Sequence, residues 1–123
     1  MSSRIETDQA AQPVAAYSQA VRAGDLLFVS GQIPLDPQTN TLISSSMESA
    51  TAQCIANAEA ILKAAGWGLN NVVKVSVFLT TMDDYSEMDA AYRKAMPSPF
   101  PAREAVAVMA LPKGARVEIS MIA

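Results

Sequence analysis

Apolar positions along the chain follow two rhythms, one with a period of two and one with a helical period. Val72 to Thr80 is rich in β-branched residues that alternate with polar ones, which predicts a strand with one face on a core. Leu26-Leu27-Phe28-Val29-Ser30 predicts another, and Tyr17 to Val21 a shorter one. Gly24-Asp25 is the turn of their hairpin. Residues 1–13 read as an arm ending at Pro13, and Pro34 to Asn40 as a loop of turn formers. Met47, Thr51, Cys54, Ala58, Ile61, Leu62 and Ala65 share one helical face, with Ser45-x-x-Glu48 as a candidate capping box and Gly66 as the stop. Asp84-x-x-Glu87 opens a second helix, whose face carries Tyr85, Met88, Tyr92 and Ala95 and which Pro97 closes. Strands over about Ala102–Ala110 and Arg116–Ile122 follow, joined by a turn from Leu111 to Ala115.

The resulting order, β-β-α-β-α-β-β, predicts a single α+β domain over residues 1–123, with two helices on one face of a mixed sheet. Candidate positions for the sheet's other face are Ala105, Ala107, Met109 and Ile122, all apolar or small. Alternation leaves open which parity meets the helices. Either way, apolar residues on both faces point to assembly with further copies.

Composition narrows the chemistry. Half of the 123 residues are apolar and 17% are charged, which excludes a disordered chain. No apolar stretch is long enough to span a bilayer, and Met1-Ser2-Ser3-Arg4-Ile5-Glu6 lacks a secretory apolar core, so a cytoplasmic location is expected. The single cysteine, Cys54, cannot form an intrachain disulfide and lies on a helical apolar stripe, as a core residue would. The absence of histidine removes Ser-His-Asp and Cys-His catalysis and imidazole metal sites. Net charge is −3, and scattered basic residues argue against a nucleic-acid groove, although a local patch made by assembly stays open. Asp83-Asp84 reads as a helix start rather than a metal pair, and Gly66-Trp67-Gly68 lacks the lysine of a phosphate loop. No metal and no cofactor is expected.

The last quarter carries the candidate chemistry. Arg103 follows Phe100-Pro101-Ala102 and enters a strand, where it can grip a carboxylate through two parallel hydrogen bonds or form an ordinary salt bridge. Glu118 lies between Val117 and Ile119, where a charge is uncommon unless paired or used; it can carry protons or be a solvated edge residue. Ser30-Gly31-Gln32 ends a strand, where Gly31 permits close backbone approach and Ser30 can donate a hydrogen bond. Without a histidine, Ser30 is a poor nucleophile. Tyr17 offers a hydroxyl or an aromatic wall, or is simply packed.

These motifs resemble the RidA (YjgF/YER/UK) family in order and spacing: Tyr17-Ser18-Gln19-Ala20, Val29-Ser30-Gly31-Gln32-Ile33-Pro34, Val73-Lys74-Val75-Ser76-Val77-Phe78-Leu79, Pro101-Ala102-Arg103, Leu111-Pro112 and Val117-Glu118-Ile119. The resemblance covers nearly the whole chain. It implies a chorismate-mutase-like fold, a homotrimer with sites between subunits, and hydrolysis of small 2-imino acids to 2-oxo acids and ammonia. It also implies roles: Arg103 as the carboxylate clamp that separates deaminating members from inactive relatives, Glu118 as the group that positions water, and Tyr17, Ser30 and Gly31 as substrate-binding positions. Departures are Asp89 where many members have asparagine, Ala105 where several bacterial members have cysteine, Ala15-Ala16 where Gly-Pro is common, and Ala95-Met96 where bulkier aromatics are common. Two other readings stand beside this one: a non-catalytic small-acid-binding or chaperone-like module, and a ribonuclease or translation inhibitor.

Overall fold

The computed structural model describes residues 3–123; the first two residues of the expected arm lie outside them. Strands β4 (Lys74–Leu79) and β6 (Val117–Ile122) form the centre of the sheet because their alternation is strict: Val75, Val77, Leu79, Val117, Ile119 and Met121 are buried and their neighbours half-exposed. Around them lie β1 (Ser3–Ile5), β2 (Ala20–Ala23), β3 (Leu26–Gln32) and β5 (Ala102–Ala107), in the order β1-β2-β3-β6-β4-β5. Only β4 and β5 run parallel, joined through helix α2 (Tyr85–Ala95) as parallel strands require. Helix α1 (Met47–Ala64) lies over β3 and β6 and packs against α2.

The mixed sheet with two helices on one face is as expected, but it has six strands rather than five. The arm contributes β1, whose three residues Ser3, Arg4 and Ile5 carry no alternation to reveal them; they become a strand only by adding to the free edge of β2. Strand β2 begins at Ala20 rather than Tyr17, because residue 19 turns inward to serve the arm.

Helix α1 starts one residue later than the sequence pattern implies. Its cap is Ser46, whose hydroxyl accepts from the Ser49 amide at 3.0 Å. Glu48 is thereby released to pair with Lys94 of α2. Glu87 accepts the Glu48 amide of α1 at 3.1 Å instead of capping its own helix, so one carboxylate ties the two helices together. The stop at Gly66 is as expected: with φ 82°, it lets the Gly66 and Trp67 amides bond back to Lys63 and Leu62.

The buried core lies between helices and sheet and includes Cys54, Met47, Ile61, Met88 and Tyr92. Register decides the parity that alternation left open. Ala105 pairs with Val77 and Ala107 with Leu79, so both lie on the helix side; Ile122 pairs with Phe28 on the open face. On that open face Leu26, Phe28 and Val106 are exposed, around a polar centre where Glu104 accepts from Ser76 and pairs with Lys74 at 3.0 Å.

Candidate active site

Four of the five sequence-predicted site residues meet in one place. Between Val29 and Gln32, β3 carries one residue more than the stretch of β6 it pairs with, Met121 to Ile119. This bulge lets Val29 and Gln32, three residues apart, both turn into the interior, and it brings the backbone of Gly31 against the side chain of Glu118. Gly31 is required by close approach: a β-carbon there would stand 2.7 Å from the Glu118 carboxyl carbon. Tyr17, Ser30, Gly31 and Glu118, with Val14 and Pro112, line a cavity of about 420 Å³ with a mostly apolar wall.

Two buried amides hold this cavity in shape, and neither has a pattern that marks it in the sequence. Gln19 accepts the Thr7 amide at 2.7 Å and donates to the carbonyls of Thr7 and Ala11, which fastens the arm beside Tyr17. Asn57 of α1 donates to the Leu35 carbonyl at 2.8 Å and anchors the loop behind β3. Ser30 is a strut as well: its hydroxyl donates to the Ser18 carbonyl at 2.7 Å, which leaves it an acceptor towards the cavity. Tyr17 is exposed and its ring forms part of the wall.

Glu118 is the ionisable carboxylate that lines this cavity. It is half-buried, and no hydrogen bond reaches its carboxylate among the described residues. Burial pushes its pKa above the ordinary carboxylate value. Cys54, on the other side of β6, is fully buried, and desolvation followed by the charge of Glu118 drives its thiol pKa far up. It is an inert core residue.

Arg103 lies elsewhere. It pairs with Val75 and therefore faces the helices, whereas Glu118 pairs with Phe78 on the open face. Strand β4 separates them by two strand spacings, about 9–10 Å, and their partners Val75 and Phe78 lie three residues, about 10 Å, apart along it, on opposite sides of the sheet. Within one chain they do not come together. The Arg103 guanidinium donates to Asp89 at 2.9 Å and to the Tyr85 hydroxyl at 2.6 Å, and stands 4.6 Å from the centre of the Tyr92 ring. Asp89 also bonds Arg93 at 3.2 Å. Burial alone would raise the Asp89 pKa, but the hydrogen bonds and charges of Arg103 and Arg93 outweigh it and hold the carboxylate below its ordinary value. Asp89, Tyr92, Arg93, Phe100, Pro101 and Arg103 line a second cavity of about 320 Å³.

The fold defines a small α+β protein with two separate polar clusters, one around Glu118 and one around Arg103. A family model described as "Endoribonuclease L-PSP" matches residues 7–123, and the chain belongs to this family, the YjgF/RidA family. It is 44% identical over 119 residues to a RutC family protein of Pyrococcus horikoshii, covering 97% of this chain and 94% of that one. It is 40% identical over 119 residues to the 2-iminobutanoate/2-iminopropanoate deaminase of Homo sapiens, covering 97% and 87%. Among solved structures, RidA from the Antarctic bacterium Psychrobacter sp. PAMC 21119 matches with a TM-score of 0.94 at 42% identity, over 98% of this chain and 97% of that one.

Proposed function

We propose that this protein is a 2-imino acid deaminase whose working site is shared between copies of the chain. The observation that carries the reading is the Glu118 carboxylate: half-buried, without a hydrogen-bond partner among the described residues, and set over Gly31 in a cavity of about 420 Å³. A carboxylate in that setting is suited to orient a water and take its proton. Arg103 is the group suited to hold a substrate carboxylate. Because one chain keeps the two apart, a second copy has to bring its own Arg103 to the Glu118 cavity. The exposed apolar residues Leu26, Phe28 and Val106 supply surface for such an assembly, for which a homotrimer is the proposed form.

The reaction needs no redox step. Water, oriented by Glu118, adds to the carbon of the C=N bond and gives a tetrahedral amino alcohol. Glu118 passes the proton taken from water to the nitrogen, then carries the hydroxyl proton of the amino alcohol to the same nitrogen as the C–N bond breaks, so that ammonia and a 2-oxo acid leave. Since free imines already hydrolyse, positioning and proton transfer are the contributions asked of the protein. Names of relatives support the substrate class, 2-iminobutanoate and 2-iminopropanoate. The family model's description favours RNA cleavage instead, but a chain of net charge −3 without histidine is poorly equipped for that.

The test uses freshly generated 2-iminobutanoate and the variants Arg103→Ala and Glu118→Gln, each expected to lose activity when alone. When the two are unfolded and refolded together, mixed assemblies contain sites with an intact Arg103 from one chain and an intact Glu118 from another, and ammonia release returns. Full activity in Arg103→Ala by itself sinks the assignment of the anchor. No recovery in mixed assemblies, with mixing shown by mass spectrometry, sinks the shared site. RNA hydrolysis that persists after nuclease removal, in the absence of imine turnover, would replace the reading.

A further inference from the structure

Arg103 already holds a carboxylate that belongs to its own chain. Both of its terminal nitrogens are engaged, one by Asp89 at 2.9 Å and one by Tyr85 at 2.6 Å. The Tyr92 ring stands 4.6 Å from the guanidinium, and only 17% of the side chain is exposed. An incoming substrate therefore meets an arginine with little free edge. Two of its five N–H donors are taken, and a bidentate grip along the edge that Asp89 and Tyr85 hold brings a second carboxylate against Asp89, the partner of like charge. It also has somewhere to go: its other oxygen is bonded to Arg93 at 3.2 Å, and the Arg93 side chain is 67% exposed, with its guanidinium 5.7 Å from the centre of the Phe100 ring.

We propose that Asp89 is a displaceable counter-ion, which competes with the substrate carboxylate for Arg103 and is held by Arg93 while substrate is bound. Asp89 is then a positioning residue that sets affinity without touching the reacting carbon. The three side chains carry a net charge of +1 with Asp89 ionised and +2 without it, so the exchange governs how strongly the site attracts a monoanion. This inference rests on the deaminase reading only in taking Arg103 as the anchor for a small organic acid.

Two measurements on the full-length protein decide it: the dissociation constant for the non-reacting acid 2-oxobutanoate by calorimetry, and KM and kcat for 2-iminobutanoate. Asp89→Asn keeps the size, removes the competing charge and leaves one accepting oxygen where Asp89 has two. Its expected effect is a tighter constant and a lower KM, each by about 3- to 10-fold, the range for loss of a partly buried ion pair, with kcat unchanged. Arg93→Gln is expected to raise KM in the parent and to have less effect in the Asp89→Asn background, because the parking place then has nothing to hold. A raised KM or lowered kcat in Asp89→Asn would show that Asp89 is a prop for Arg103 and would overturn the proposal; an Arg93→Gln effect equal in both backgrounds would overturn the parking role. Arg103→Ala distinguishes the two levels of the argument. If it abolishes binding while Asp89→Asn fails to improve it, the exchange is wrong and the anchor stands. If it leaves binding intact, both fall.

Discussion

The two polar clusters of this chain are built on opposite principles. Around Glu118, a charged group is brought into an apolar cavity and left without a partner, over a bulge in which Gly31 has no side chain to obstruct it. Around Arg103, every strong donor direction used by the guanidinium ends on a group of the same chain, Asp89 or Tyr85, with Tyr92 close to its ring face. The first arrangement costs stability, because burial of an unpaired carboxylate opposes its ionised form. The second contributes stability and costs availability. In the reading proposed above, the contrast separates chemistry from recognition: the carboxylate stands unpaired and the arginine is held by its own chain until a ligand competes for it.

The comparison is broken most severely at Glu118. Glu118→Gln keeps the shape of the cavity and removes proton transfer, so kcat on 2-iminobutanoate is expected to fall by about 10²- to 10⁴-fold with little change in KM. The parent should lose kcat/KM as the pH falls through the Glu118 pKa, since the ionised form takes the proton from water, and the variant should lack that acidic limb. Equal activity of the two proteins at neutral pH would remove Glu118 from the mechanism.

A smaller effect is expected at Gly31. In Gly31→Ala the new methyl group would stand 2.7 Å from the Glu118 carboxyl carbon and push it out of position. The groups met most closely are the end of the flexible Glu118 side chain, which can swing aside, so the expected stability cost is under about 1 kcal/mol, below that of core overpacking, together with a loss of kcat larger than any change in the affinity for 2-oxobutanoate. Thermal melts and calorimetry read the two parts separately, and a shift in affinity alone would place Gly31 against the ligand rather than against Glu118.

The smallest effect sharpens the other side of the contrast. The Asp89 pKa is lowered in the folded chain, so its ion pairs stabilise the protein above the ordinary Asp value of 3.8 and that contribution is lost as the pH falls through the lowered value. Asp89→Asn should therefore melt slightly below the parent at pH 7, by less than about 1 kcal/mol because the pair is partly solvated, and the gap should close only at pH values below the ordinary one. Together with the expected gain in ligand affinity, this would show stability given up in the parent's favour at Asp89 and function gained in the variant. A gap that does not depend on pH would mean that shape rather than charge links Asp89 to Arg103.

Much of this architecture is legible along the chain. Val75, Val77 and Leu79 alternate so regularly that β4 could be drawn as a strand, and the stripe from Met47 to Leu62 marks α1 with Gly66 as its end. Tyr17, Ser30, Gly31 and Glu118 were all candidates for one site, and one cavity collects them. Other features leave no local trace. Strand β1 exists because β2 offers an edge, Ser46 rather than Ser45 caps α1, and Glu87 serves a helix to which it does not belong. Gln19 and Asn57 look like ordinary polar residues until their partners, far away in sequence, are known.

The amino-acid order by itself determined five of the six strands, both α-helices, the buried thiol and the residue types available for chemistry, because each follows from spacing and side-chain character within a short window. Only the tertiary structure decided that Glu118 and Arg103 stand on opposite faces of the sheet. That outcome depends on the parallel register of β5 against β4 and the antiparallel register of β6, relations between segments that no periodicity within a segment encodes.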